Sequence, residues 1–367
     1  MANRLPTVGV EEEFLLLGPD GGPECAAPDL IRTALPQLHV VPELMRYQVE
    51  STTGICTDLA TVAAELSFAR RALAEAAADR GARLVALGTP PFGTPGLSAL
   101  GEDPRYRRLI EGVPGVTGEE VSCACHVHVE VPTRDLGVAV LNRLRDWLPV
   151  LMALTGNSPF WRGCDTGWAS YRFLVQRRWP TFVPPPRCSG AADYDQRVAE
   201  LVGTSAAIDE RSVYYWARLS PRYPTVEIRI ADTLLAVGDA VLVAGLCRAL
   251  VATCLTDELA GRPITAVPPP ILMSAGHSAA RLGLRASVVD PLRGEPAPAA
   301  VVLDQLMGAL APTFEEAGEW RLINGLLAER LRRGSGAERQ RALWRATDRR
   351  HFVETVADLS AGPDGRR

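Results

Sequence analysis

Apolar and polar residues alternate in three short stretches of this chain. Residues 7–17 read Thr-Val-Gly-Val-Glu-Glu-Glu-Phe-Leu-Leu-Leu and stop at Gly18-Pro19-Asp20-Gly21-Gly22, which predicts a strand ending in a turn. Strand side chains point alternately to two faces. Glu11 and Glu13 therefore share a face, and Glu12 goes with Val8, Val10, Phe14 and Leu16. Residues 123–131, Cys-Ala-Cys-His-Val-His-Val-Glu-Val, put His126, His128 and Glu130 on one face and Cys123, Cys125, Val127, Val129 and Val131 on the other. Residues 225–230, Thr-Val-Glu-Ile-Arg-Ile, separate Glu227 and Arg229 from Val226, Ile228 and Ile230. One sheet with a dry back and a charged front accounts for all three. A solvated polar face is the ordinary alternative for any one of them. The choice of side chains argues for an active site, because carboxylates, imidazoles and a guanidinium stand where a wet face mixes Thr, Lys, Ser and Gln. Like charges at this spacing are costly to bury unpaired, and a pair of Mg²⁺ or Mn²⁺ ions would balance them.

Helical spacing governs much of the remainder. Asp58 caps an Ala-rich amphipathic helix that reaches about Arg80 and stops at Gly81. A short strand is expected at 83–87, then a Pro/Gly-rich loop at 88–104 with the length of an active-site flap. Further helices are expected at about 134–154, 193–207 and 239–258, with residues 156–190 mostly irregular. Pro268-Pro269-Pro270 should break the chain ahead of three helical stretches at 298–310, 319–333 and 337–359, with a frayed tail over 360–367. No regular β-α-β alternation and no Gly-x-Gly-x-x-Gly after a strand occur, so the class is α+β, not a Rossmann fold. One domain over 1–367 is expected.

Composition narrows the partners. The 367 residues carry a net charge of −4, and the sequence pI is about 5.9, which argues against a nucleic-acid partner. No uninterrupted apolar run reaches the ~18 residues of a membrane span. The longest, 240–255, is broken by Arg248, and the N-terminal apolar run is interrupted by glutamates, so a cytoplasmic protein with no membrane partner is expected. Eight cysteines show no Cys-x-x-Cys spacing, which fits buried thiols rather than zinc or disulfides. All 39 basic residues are arginine. A Walker A lysine and a Schiff-base lysine are therefore excluded. If phosphates are bound, arginines and carboxylate-held cations must neutralise them.

The motifs Gly9-Val10-Glu11-Glu12-Glu13-Phe14, Cys123 to Val129, Asn157-Ser158-Pro159-Phe160-Trp161-Arg162-Gly163, Asp165-Thr166-Gly167, Ala169-Ser170-Tyr171-Arg172 and Val226-Glu227-Ile228-Arg229 closely resemble the YbdK-type carboxylate–amine ligases, also called type 2 glutamate–cysteine ligases. The resemblance implies a glutamine synthetase-like catalytic domain, a curved antiparallel sheet forming a funnel flanked by helices. It implies that ATP phosphorylates a substrate carboxylate, typically the γ-carboxylate of glutamate, and that an amine such as cysteine attacks the acyl phosphate to give an amide. By position, Glu11, Glu13, Glu43, Glu50, His126 and Glu227 would hold two or three Mg²⁺ ions, with Mn²⁺ a substitute. Glu11, Glu13, His126, His128, Glu227 and Arg229 would form the nucleotide shell, and Arg229 and Glu50 would be catalytic. Arg162, Tyr171, Arg172, Glu130 and Asn157 would meet the small-molecule substrates; stacking of these arginines on Trp161, Trp168 and Trp179 is the structural alternative. Members are often homodimers. Glu130 stands where the family usually has Gly, and Tyr47 where it has Ser, and both departures bear on substrate identity. Glu130 would add a negative side chain to the funnel.

Two other functions compete. A metal-dependent hydrolase could use His126 and His128, but only His39, His277 and His351 remain as further imidazoles. A non-catalytic ligase fold is the third reading, and it leaves so many acidic residues without a purpose.

Overall fold

The computed structural model describes residues 5–113 and 121–362. Along the chain run β1 (Val8–Leu17), α1 (Ala27–Thr33), β2 (His39–Pro42), β3 (Gln48–Thr52), α2 (Leu59–Ala78), β4 (Arg83–Val85), α3 (Pro104–Gly112), β5 (Ala124–Glu130), α4 (Arg134–Leu144), α5 (Leu148–Thr155), β6 (Phe160–Trp161), β7 (Cys164–Asp165), α6 (Arg172–Gln176) and α7 (Ala191–Gly203). The second half adds β8 (Ala217–Leu219), β9 (Thr225–Asp232), α8 (Val237–Leu259), α9 (Pro269–Leu282), β10 (Ser287–Val289), β11 (Pro296–Pro298), α10 (Ala299–Glu316), α11 (Trp320–Arg333), α12 (Gly336–Ala346) and α13 (Arg349–Ala361).

The three patterned stretches become the centre of one antiparallel sheet, ordered β2-β3-β1-β5-β9-β8, with β4 on the last residues of β1. Val10, Val127, Val129, Val226 and Ile228 line its dry back and share a core with α4, α5 and α8. The front is charged only between Glu11 and Glu13 along β1. Beyond that, Leu15 and Leu17 meet a second apolar cluster with Tyr47, Phe92 and Phe352.

Glu12 faces the back, as alternation requires, and it is 1% exposed. Arg70 of α2 reaches it with two hydrogen bonds, Nε to Oε2 at 2.9 Å and Nη2 to Oε1 at 2.5 Å. The guanidinium also donates to the carbonyls of Leu234, Leu235 and Ser360. A buried charge pair survives when its remaining polar atoms are satisfied, and this one joins the start, middle and end of the chain. In α8, Arg248 is likewise buried and donates to the carbonyls of Pro6 and Thr57 and to Glu319. That helix has the length and composition to cross a membrane, but 78% of its apolar window is buried inside the protein.

Several element boundaries differ from expectation. The helix foreseen over 134–154 is two, α4 and α5, because Pro149 has no N–H to donate and starts a new helix near its N-terminus. The proline triplet likewise opens α9 rather than only breaking the chain. The C-terminal region holds four helices, with α12 and α13 separated at Thr347 and Asp348. Within the expected flap, residues 89–92 are buried, and Thr89 donates to the carbonyl of Phe160. Ser360 is not frayed: its hydroxyl accepts from the Ala86 N–H at 2.9 Å, and residues 363–367 of the expected tail lie outside the described residues. The eight cysteines are free thiols, six of them buried.

Candidate active site

Strand register assembles the site. Glu11 lies opposite His126 between β1 and β5, and Glu13 opposite Glu50 between β1 and β3. His128 lies opposite Glu227 between β5 and β9, and Glu227 opposite Arg218 between β9 and β8. A bulge in the β5–β9 pairing, between Cys125 and Val127, sets the register beside His126 and Arg229. Glu43 enters from the end of β2. The result is a cavity of about 610 Å³ lined by these side chains together with Arg172, Arg105 and Tyr106.

Two groups of ligand atoms form within it. Glu13, Glu43 and Glu50 bring three carboxylates together, and Glu11, His128 and Glu227 form a second trio; within each, the ligand atoms lie within 4.8 Å of one another. His126 belongs to neither. Its Nδ1 lies 3.2 Å from Glu11, and its buried Nε2, 3.9 Å from Glu13, has no hydrogen-bond partner.

The trios differ in charge. Burial opposes ionisation of Glu11 and Glu227, but cations win at both. Hydrogen bonds from His126 and His128 hold Glu11 well below the usual carboxylate range. Arg229 and Arg218 do the same for Glu227, Arg218 through Nε at 2.7 Å and Arg229 through a close Nη1 contact. In the other trio burial wins. It lifts Glu13 from 4.5 to about 8, aided by the charge of Glu43, and it raises Glu43 and Glu50 as well. One trio is thus internally compensated, and the other lacks positive charge. Burial and the neighbouring Arg229 push His126 down to about 4, so its ring is neutral at pH 7. Glu11 and Glu227 outweigh burial at His128 and raise it.

Arg172 approaches from the loop after β7. Asp232, at the end of β9, secures that loop by accepting from the Asn157 N–H at 2.8 Å and from the hydroxyls of Ser158 and Ser170 at 2.7 Å. Ser158 Oγ then accepts from the Arg172 N–H at 3.0 Å. The guanidinium is buried in the cavity wall, makes only long contacts to the carbonyls of Ile230 and Arg229, and leaves Nε without an acceptor.

Other expected substrate residues lie elsewhere. Asn157 is a structural pin, donating to the carbonyls of Ala86 and Thr233 and accepting from Gln340. It crowds Gly336 so closely that a Cβ there would fall 2.0 Å from its Oδ1. Arg162 is exposed at the β6–β7 turn with φ of 51°, and Tyr171 packs against Trp161; neither lines the cavity. Glu130, expected to charge the funnel, is exposed at the strand end and accepts from Thr7 N and Oγ1. Tyr47 is fully buried in the second apolar cluster. With both outside the cavity lining, these two departures give no ground for a changed substrate. Among the described residues, the arginine-on-ring contacts are Arg70 over Phe14 and Arg349 over Phe92, not on the three tryptophans.

Sequence reading missed Arg218, Asp232, Arg105, Tyr106 and His39. Arg218 had a signal: Ala217-Arg218-Leu219 alternates just ahead of a turn. Arg105 had none, since it is fixed by Asp209 and Ser212, more than a hundred residues away.

Comparison with known proteins places this arrangement. Among solved structures, a glutamate–cysteine ligase from Francisella tularensis in complex with AMP superposes with a TM-score of 0.70, over 99% of this chain and 90% of its own, at 11% identity. A bifunctional glutathione synthetase from Pasteurella multocida gives 0.68 over 98% of this chain and 52% of its own, at 14% identity. These two likenesses establish the α+β fold. A Nocardia farcinica protein with the provisional name glutamate–cysteine ligase 2-1 is 41% identical over 359 residues, 97% of this chain and 93% of its own. One from Rhodopirellula baltica, provisionally named glutamate–cysteine ligase 2, is 37% identical over 351 residues, 93% of this chain and 94% of its own. The class is that of ligases forming carbon–nitrogen bonds. Within it, the chain belongs to glutamate–cysteine ligase family 2, whose sequence model matches residues 7–359. The hydrolase reading finds no support in these relatives.

Proposed function

We propose that the protein is an ATP-dependent carboxylate–amine ligase over its whole length, acting on glutamate or a close relative as carboxylate and on cysteine or another amine. The observation that carries this reading is the pairing of an uncompensated carboxylate trio with buried arginines in one cavity. Hard divalent cations take oxygen ligands, and Glu13, Glu43 and Glu50 fit Mg²⁺ by donor type. Glu11, His128 and Glu227 add an imidazole, a set that also accommodates Mn²⁺. Bound cations would supply charge neutralisation to phosphate oxygens.

The protein's own groups do the remainder. Phosphoryl transfer needs positioning and stabilisation of charge on the phosphoryl oxygens, with no nucleophilic side chain. Arg229, oriented by Glu227, would face that charge, and Glu50 would help to hold a cation in the same cavity. Arg172 Nε, buried without an acceptor, is a fork for a substrate carboxylate. Transfer of the γ-phosphoryl group of ATP to the carboxylate oxygen breaks its bond to ADP, which leaves, and makes a mixed anhydride. The amine nitrogen then attacks its carbonyl carbon, the carbon–oxygen bond to phosphate breaks, and the amine loses a proton to solvent.

ADP release, measured with Mg²⁺ across carboxylates and amines, should require both substrates together. Arg229→Ala should lower kcat by on the order of 10³ with the fold retained. Amine-independent phosphate release, or unchanged turnover in the variant, would refute the reading.

A further inference from the structure

A second cavity, of about 210 Å³, lies outside the catalytic one and shares none of its lining residues. It is bounded by the end of α9, the start of α12 and the C-terminal part of α11, with Ala169 of the Asn157–Arg172 loop in its wall. Four guanidiniums line it, from Arg281, Arg285, Arg330 and Arg341, against one carboxylate, Glu338.

The balance of partners is uneven. Arg341 is matched by Asp165, with Nη2 to Oδ1 at 2.7 Å. Arg330, almost wholly buried, donates to the carbonyl of Leu154 and lies 3.9 Å from Asp239, a carboxylate it shares with Arg339. Glu338 is occupied by Ser335, accepting from its N–H at 2.7 Å and its hydroxyl at 2.9 Å. Arg281 and Arg285 have no ion pair or side-chain hydrogen bond among the described residues. Both are exposed, so the rim of the cavity carries two forks without an ion pair, with Arg285 close enough to lower the Glu338 carboxyl, and Arg330 adds a buried third cation. Its size sets the ligand, since pockets for drug-sized molecules run from about 300 Å³ upward and this one is smaller. Guanidinium forks match the spacing of phosphate oxygens.

We infer that Arg281, Arg285 and Arg330 form a second anion site, separate from the catalytic cavity, for a compact phosphate-class dianion. The first turn of α12 is closed by its own capping box, so the arginines supply the recognition. The site adjoins the catalytic loop: the Ala169 N–H donates to the carbonyl of Arg281 and the Ser170 N–H to that of Ala280.

The test is equilibrium dialysis of the intact protein with labelled inorganic phosphate, with MgADP saturating the catalytic cavity. One phosphate should bind per chain. The double variant R281A/R285A should weaken it at least tenfold, R281K/R285K, which keeps the charge but loses the forks, should weaken it less, and Arg229→Ala should leave it unchanged. Matching melting curves for the variants would show that the fold is intact. Competition by glycerol phosphate would extend the site to organic phosphates, and exclusion of it would restrict the site to the free ion; either agrees with the assignment. Undiminished binding in R281A/R285A, loss in Arg229→Ala, or no binding beyond the catalytic cavity would overturn it.

Discussion

Three consecutive glutamates take three different electrostatic situations. Glu11 is ionised between two imidazoles, Glu12 is locked to Arg70 in the core, and Glu13 keeps its proton to about 8 beside two other carboxylates. Alternation along β1 made the first separation legible, but the partners were not, because Arg70 comes from a helix whose sequence reads as an ordinary amphipathic one. Glu12→Gln leaves a guanidinium buried without its counter-charge. It should cost about 3–5 kcal/mol in urea denaturation, and Glu12→Leu with Arg70→Met should recover much of that loss. Glu13 gives a pH prediction. Its folded carboxyl keeps its proton to about 8, against an ordinary value of 4.5, so between these limits the native state binds more protons than the unfolded one. Stability of the metal-free protein should therefore fall as pH rises from 4.5 to 8. A cation that replaces the proton reverses this, so the rise in Tm on adding Mg²⁺ should be larger at pH 8 than at pH 6. An equal rise at both would contradict the raised pKa of Glu13.

At the scale of elements, the long or strongly patterned segments were readable and the short ones were not. β1, β5 and β9 carry seven or more residues each, and their faces alternate. β2 and β8, with four and three residues, contain too little pattern to declare a strand, yet one delivers Glu43 and the other Arg218. Proline was the other source of error: at Pro149 and Pro269 it starts helices, because the first helical turn needs no N–H from it. Capping was read correctly at Asp58, whose Oδ1 accepts from the Thr61 N–H at 2.8 Å. Asp58→Ala should lower stability by about 1 kcal/mol in chemical denaturation, without altering the catalytic cavity.

At the scale of the molecule, distant segments close on one another. Phe352, Val353 and Val356 of α13 are buried against Leu15, Leu17 and Tyr47, while Ser360 serves both Ala86 and Arg70. Burial of three such side chains contributes about 5–9 kcal/mol, a large share of the roughly 5–15 kcal/mol that a native fold has in total. Ending the chain after Thr347 should therefore abolish the cooperative thermal transition rather than merely lower Tm. The same closure explains what sequence alone could not show. Alternation reveals which side chains share a face, but Arg172 meets the cavity only through the Asp232 hydrogen bonds, and those link residues more than 60 positions apart.

The order of the sheet also bears on biosynthesis. β1 leaves the ribosome first, yet β5 and β9 are made more than 100 and 200 residues later. β3 can cover one edge early, but until β5 is made the other edge of this apolar strand is open to other nascent chains. Charged residues within a strand discourage such edge-to-edge association, so the glutamates that later serve the cavity first act as gatekeepers for their own strand.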